Sequence, residues 1–304
     1  MGHHWKQNAM SVSAPSLQRA PVSGFQLVCL SAVLFSTAGV FTKGVNADAW
    51  SIIFWRGLAA AGIALVLLLL RREFSREIRQ FRLPAILATL LMASGTAAFV
   101  PAFKLTTIAN VALIYAAAPF IAALFGWLFL REKPTSTIML GSVSALIGVT
   151  LIFGGISTQG DLWGNLLAGW MTLVMAGITI IYRRWPDTPT TLPGAASALL
   201  LCPIVAGLGT PAEVPISELA ILAGFGVCFA FAFILLSAGA KHLPPAETAL
   251  LSALETPLAP IWGILFFHEI PNMQTILGGA LIMVAVFGTY GHQWRKKRKQ
   301  ARIA

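Results

Sequence analysis

The chain has 304 residues, of which 57% are hydrophobic and only 11% charged, with a mean hydropathy of +0.79 and a formal net charge of +10. Such a balance excludes an ordinary soluble domain and reads as an integral membrane protein. The basic residues sit in short segments between apolar runs, so the positive charge belongs to membrane orientation, with lipid as a partner and no nucleic acid.

Residues 1–23 are polar, so no cleavable signal peptide is expected ahead of the first apolar run, and this segment reads as a cytoplasmic tail, native or partly vector-derived. Its adjacent His3 and His4 are too few for an affinity tag or a metal site. A hydrocarbon core of about 30 Å takes roughly 20 helical residues. The apolar runs then divide into ten spans, near residues 24–43, 49–70, 84–103, 108–130, 136–154, 162–182, 192–209, 218–240, 246–267 and 273–291. The seventh is the least regular, because Pro193, Pro203, Gly207 and Gly209 interrupt it. Cys29, Cys202 and Cys228 fall inside spans without metal spacing and read as small apolar packers. The chain shows no H-E-x-x-H, no paired histidine boxes and no G-x-x-x-x-G-K-[ST] loop. An enzyme, a resident metal or cofactor and ATP-driven transport are therefore not expected.

With the amino terminus inside, cytoplasmic segments collect 18 of the 21 Lys and Arg residues, and the opposite loops hold only Lys43 and Lys104. Both termini are thus expected in the cytoplasm, with the tail "WRKKRKQAR" as a basic anchor against anionic lipid.

The stretch "FLREKP" at 129–134 returns as "FFHEIP" at 266–271. Sliding the chain on itself by 137 positions pairs Lys104 with Lys241, Ala109 with Ala246, Gly126 with Gly263, Glu132 with Glu269, Pro134 with Pro271 and Gly141 with Gly278, without a gap over about fifty residues. The two copies are five spans apart and face opposite sides, so the second loses Arg131 and Lys133 to His268 and Ile270. This predicts an all-α fold of two inverted five-helix repeats, 24–154 and 162–291. A linker at 155–161 joins them, and tails at 1–23 and 292–304 flank them. Such repeats occur in alternating-access transporters, with the substrate site near the midplane between the halves.

The stretch "ANVALIYAAAPFIAALFGWLFLREKPTSTIMLGSVSALIGVTLIF" and its partner "ALLSALETPLAPIWGILFFHEIPNMQTILGGALIMVAVFG" resemble the two repeats of the drug/metabolite transporter superfamily, EamA branch. The resemblance covers residues 24–291 and departs at Glu255-Thr256-Pro257, where the family more often joins Glu and Pro directly. It implies export of amino acids or other small metabolites or drugs across the bacterial inner membrane, while the spans and charge bias by themselves also fit a non-transport lipid-handling or accessory membrane protein. It also implies a central cavity lined mainly by spans 1, 3, 4, 6, 8 and 9. The abundance of Trp and Phe resembles the aromatic amino acid exporters of that branch, although both residues also serve at lipid surfaces.

Bilayer physics singles out candidate residues. Glu255 lies nine residues into its span, about 13 Å deep, where it must face water, pair with a base or stay protonated. It either lines the transport path or serves as interhelical packing glue. Arg56 lies seven residues into its span, about 10 Å deep, and its long stem favours anchoring at the outer interface over binding a substrate carboxylate. Pro119, Pro257 and Pro260 read as hinges or plain kinks, freeing the carbonyls of Tyr115, Ala253 and Thr256. Tyr115 offers a ring and a hydroxyl, or is a satisfied core residue. Trp163 suits the interfacial belt, and Trp170 on the same face suits lipid contact or the cavity wall equally. The expected substrate site is therefore Glu255, Tyr115, Trp170, Ser252 and Thr256, taking a small molecule with a bulky apolar side chain. A homodimer is compatible with the sequence, which sets no oligomeric state.

Overall fold

The computed structural model describes residues 23–106, 108–153, 162–268 and 270–301, and every regular element among them is helical. The polar tail, the linker and Glu269 lie outside the described residues. In chain order the helices are α1 (Gly24–Ser36), α2 (Ala38–Lys43), α3 (Ala49–Leu70), α4 (Phe74–Gln80), α5 (Leu83–Leu105), α6 (Ile108–Tyr115) and α7 (Ala118–Phe125). A π-helical turn (Gly126–Leu130) follows, then α8 (Ser136–Phe153), α9 (Leu162–Arg184), α10 (Leu192–Ala206), α11 (Ile216–Ala240), α12 (Pro245–Ser252), α13 (Glu255–Phe267) and α14 (Met273–Ala301).

Among the described residues, seven helical stretches are long and apolar enough to cross a membrane, and an eighth arises if the pair α4–α5, bent by 97°, counts as one span. Ser136–Ile152 and Leu192–Ala206 are shorter apolar helices. Helix is the form these runs must take, since lipid offers no partners for backbone N–H and C=O groups.

Local chemistry sets the helix ends. Ser23 and Gln26 form a reciprocal capping box at the start of α1. Asp48 caps α3 by accepting from the backbone N–H groups of Trp50 and Ser51 at 2.9 and 3.1 Å, and it also accepts from Thr210 N–H at 3.3 Å. Burial alone would raise the Asp48 carboxyl, but hydrogen bonds from Ser51, Thr210 and Trp50 hold it below its ordinary value. The junctions at Arg131 and His268 both adopt left-handed backbone, with φ of 57° and 54°. Each such residue closes its helix by an N–H bonded to carbonyls four and five residues back, Trp127 and Gly126 in one case, Ile264 and Gly263 in the other.

The helices associate through small residues, as they must where burial from lipid gains little. α8 packs along α14, α5 along α9, α1 along α11, and α3 between α10 and α11. At the α8–α14 crossing a Cβ on Gly278 would sit 2.4 Å from the carbonyl oxygen of Gly148, and one on Gly148 would sit 2.7 Å from that of Gly278. No larger residue fits there without parting the helices. Gly226 of α11 approaches α3 equally closely, and a Cβ added to it would lie 2.5 Å from the Arg56 carbonyl oxygen.

One end of the bundle carries an ionic network. Arg183, at the end of α9, pairs with Glu132 at 3.0 Å and donates to the Lys241 carbonyl at 3.3 Å. The Lys241 ammonium donates to the Thr188 carbonyl, and Glu77 of α4 accepts from Leu192 N–H at 2.7 Å. Burial lowers the Lys241 ammonium below its ordinary value, while Glu77 and Asp187 oppose that shift.

Candidate functional site

Two helices stop and restart in the middle of the bundle. α6 ends at Tyr115 and α7 begins at Ala118, while α12 ends at Ser252 and α13 begins at Glu255. Pro119 and Pro257 lie within the first turn of the restarted helices, where a missing N–H costs nothing, so the breaks fall just ahead of the rings. Pro260 lies inside α13. The carbonyl of Ala253 is not freed as the sequence suggested. It accepts from Thr256 N–H at 3.2 Å, because the chain tightens to a three-residue turn where Pro257 removes the usual donor.

Beside these breaks lies a cavity of about 240 Å³. Phe225, Phe229 and Phe233 of α11, spaced every fourth residue, form one wall with Phe35 of α1. Phe35 meets Phe229 and Phe233 edge-on, with ring centroids 5.6 and 5.2 Å apart. Met92 of α5 and Met171 and Met175 of α9 supply a softer face. The polar groups are few: Thr96, Tyr115, Glu255, Thr256 and Arg56. Of these, Tyr115 stands at the end of α6 and Glu255 at the start of α13, so the two breaks meet at the cavity.

The cavity thus brings together Tyr115, Glu255 and Thr256 of the expected set. Ser252 is not among its lining residues, and its hydroxyl donates back to the Thr248 carbonyl at 3.1 Å. Trp170 is 46% exposed and shares the outer face of α9 with Trp163, Leu166 and Leu173, while Met171, Val174 and Ile178 point inward. A membrane helix is apolar on both faces, so an aromatic residue does not reveal which one it occupies.

Arg56 departs furthest from expectation. Instead of reaching back to the interface it is buried at 4% exposure, with its guanidinium carbon 3.9 Å from the ring centroid of Phe229 and 5.2 Å from that of Phe225. Its position on the α3 stripe of Ile53, Gly57 and Ala60, all buried, turns it inward. Its Nε has no hydrogen-bond partner among the described residues.

The family model of the EamA-like transporters matches this chain twice, over residues 22–154 and 159–291. The chain belongs to the EamA-like transporter family. Similar relatives of this EamA-like transporter include the uncharacterized transporter YwfM of Bacillus subtilis, 27% identical over 273 residues, covering 85% of this chain and 90% of that one. The pseudopaline exporter CntI of Pseudomonas aeruginosa is 25% identical over 272 residues, covering 86% of this chain and 94% of its own. A protein of known crystal structure shares the fold, with a TM-score of 0.76 at 19% identity over 87% of this chain and 96% of that one. This EamA-like protein is therefore a multi-pass membrane transporter.

Proposed function

We propose that this transporter exports amino acids with aromatic or bulky apolar side chains across the bacterial inner membrane. The observation that carries the reading is the cavity itself, an aromatic and thioether chamber with one carboxyl, Glu255, set beside Tyr115 at a helix break. Glu255 accepts from the ammonium of the cargo, and the Phe wall receives its side chain.

The movement is alternating access between inverted five-helix halves, 24–154 and 162–291, making ten spans. Several features support this architecture. Under the 137-residue shift, Tyr115 falls on Ser252 and Ala118 on Glu255, so the two helix breaks coincide. The left-handed corners at Arg131 and His268 coincide as well. The packing of α5 on α9 is matched by that of α11 on α1, the reciprocal pairing expected of a pseudo-two-fold axis. The basic bias supports both termini in the cytoplasm, which would put the Arg183–Glu132 pair at the cytoplasmic end. Because one relative is named as a pseudopaline exporter, a second reading keeps the architecture and exports another small metabolite.

The test is counterflow in proteoliposomes with phenylalanine, tryptophan, leucine and alanine. Aromatic cargo is expected to move at least tenfold faster than alanine. Tyr115→Ala is expected to slow phenylalanine more than alanine by about 2- to 10-fold, the worth of one ring contact. Trp170→Ala is expected to leave both within about twofold. Equal losses for both substrates in Tyr115→Ala, at normal expression, would remove stacking as the source of preference.

A further inference from the structure

We infer that Arg56 is the carboxylate-binding residue of this cavity, so that the cargo carries a free carboxylate. The inference rests on the cavity being the transport site, and it adds a substrate class that the cavity's apolar walls do not require.

Arg56 is out of electrostatic balance with its surroundings. A guanidinium removed from water needs a counter-charge or a full set of acceptors. Arg56 is buried, its Nε is unpartnered, and among the described residues no carboxylate is paired with it. Two phenylalanine faces attract the cation but accept no N–H bond in the guanidinium plane. They leave its N–H donors to be met by another group, and those donors fit a carboxylate in a two-point grip.

Position supports the same assignment. Arg56 lines both the main cavity and a smaller chamber of about 40 Å³ between α3, α5, α10 and α11, so it stands where two spaces meet. Its backbone is clamped by the close approach of Gly226, and the Phe225 and Phe229 rings of the same helix set the direction of the side chain. A residue serving only as an interfacial anchor needs neither constraint. The cavity also holds Glu255, yet Arg56 and Glu255 are not joined in an ion pair. A guanidinium and a carboxyl set apart in one apolar chamber match a molecule whose own carboxylate and ammonium are separated. Lysine offers a point charge and would keep part of the attraction, whereas glutamine would keep a donor and lose the charge.

Three probes sharing one phenyl group test this: phenylalanine, phenethylamine, which lacks the carboxylate, and 3-phenylpropionate, which lacks the ammonium. Binding is measured on the purified full chain by ligand-induced thermal stabilisation and by competition in proteoliposome flux. In the unaltered protein phenethylamine is expected to bind at least tenfold more weakly than phenylalanine. Arg56→Gln is expected to weaken phenylalanine and 3-phenylpropionate at least tenfold and phenethylamine by less than twofold, with Arg56→Lys between the two. Equal weakening of all three probes, or none, overturns the inference.

The outcomes also separate it from the amino acid reading. If 3-phenylpropionate alone binds, and does so through Arg56, the anion site stands and amino acid export falls. If phenylalanine and phenethylamine bind alike and ignore Arg56→Gln, the carboxylate role falls while recognition through the ammonium survives. Should Arg56→Gln fail to fold, the ratio of phenylalanine to phenethylamine decides on its own. A ratio near one in the unaltered protein overturns the inference, and a tenfold ratio reduced in Arg56→Lys upholds it.

Discussion

Glu255→Gln is expected to slow exchange of ammonium-bearing cargo by about 10- to 100-fold while the protein purifies and melts much as before. The magnitude follows from the worth of a hydrogen bond to a charged group, about 1.5–3 kcal/mol, which glutamine forfeits while keeping shape and polarity. The fold should survive because Glu255 opens α13 and lines the cavity with Tyr115, where an amide keeps the same shape. A lost interhelical bond in a membrane costs only about 1 kcal/mol. The same preparation separates two roles for the carboxyl. If it holds the ammonium, exchange and gradient-driven flux fall together. If it carries a coupling proton, exchange continues and only the acceleration by a pH gradient disappears. Unaltered behaviour in both assays would remove Glu255 from the mechanism.

Why Glu255 was legible in the sequence and Arg56 was not is a matter of side-chain reach. A glutamate about 13 Å deep has too short a stem to find the interface, so depth alone marks it. An arginine about 10 Å deep can snorkel, and depth then decides nothing. What turns Arg56 inward is its buried neighbours at helical spacing, of which Gly57 and Ala60 are small enough to let α10 and α11 close on that face of α3. Trp170 shows the opposite difficulty, since its bulk and apolar ring suit lipid as well as a cavity. The Phe225, Phe229 and Phe233 wall went unread because α11 is apolar nearly all round, and a four-residue spacing carries little signal in such a helix. Helix extents were easier. Length and hydropathy placed α3 at 49–70 to the residue, whereas the short α4 at Phe74–Gln80 was hidden within a basic loop. The breaks in the middle of the bundle were announced by Pro119 and Pro257 but begin three and four residues earlier, because the ring is accommodated best at the start of a helix.

The second large effect is one of sidedness, and its expected outcome is all or nothing. Cys29, Cys202 and Cys228 are free and half-buried, and their replacement by alanine gives the background in which Lys133→Cys and Ile270→Cys report alone. In intact cells a membrane-impermeant maleimide is expected to label Ile270→Cys, which is 95% exposed, and to spare Lys133→Cys until the membrane is opened. Two features that no single-sided arrangement explains together lead to this outcome. The corners around these residues share a left-handed residue at the same place, Arg131 and His268, and close their helices on equivalent carbonyls. Their charges nevertheless differ, with Arg131 and Lys133 replaced by His268 and Ile270. A duplicated corner that kept its backbone and remained on the cytoplasmic side would have no reason to shed its fixed positive charges. One turned to the far side would, since cytoplasmic loops are the ones enriched in Lys and Arg. Inversion would also account for the Tyr115 break and the Glu255 break lining one cavity, each of the proposed halves contributing one discontinuous helix. Labelling of both positions from the same side would end the inverted-repeat reading, and with it the account of how the two halves exchange access to the cargo.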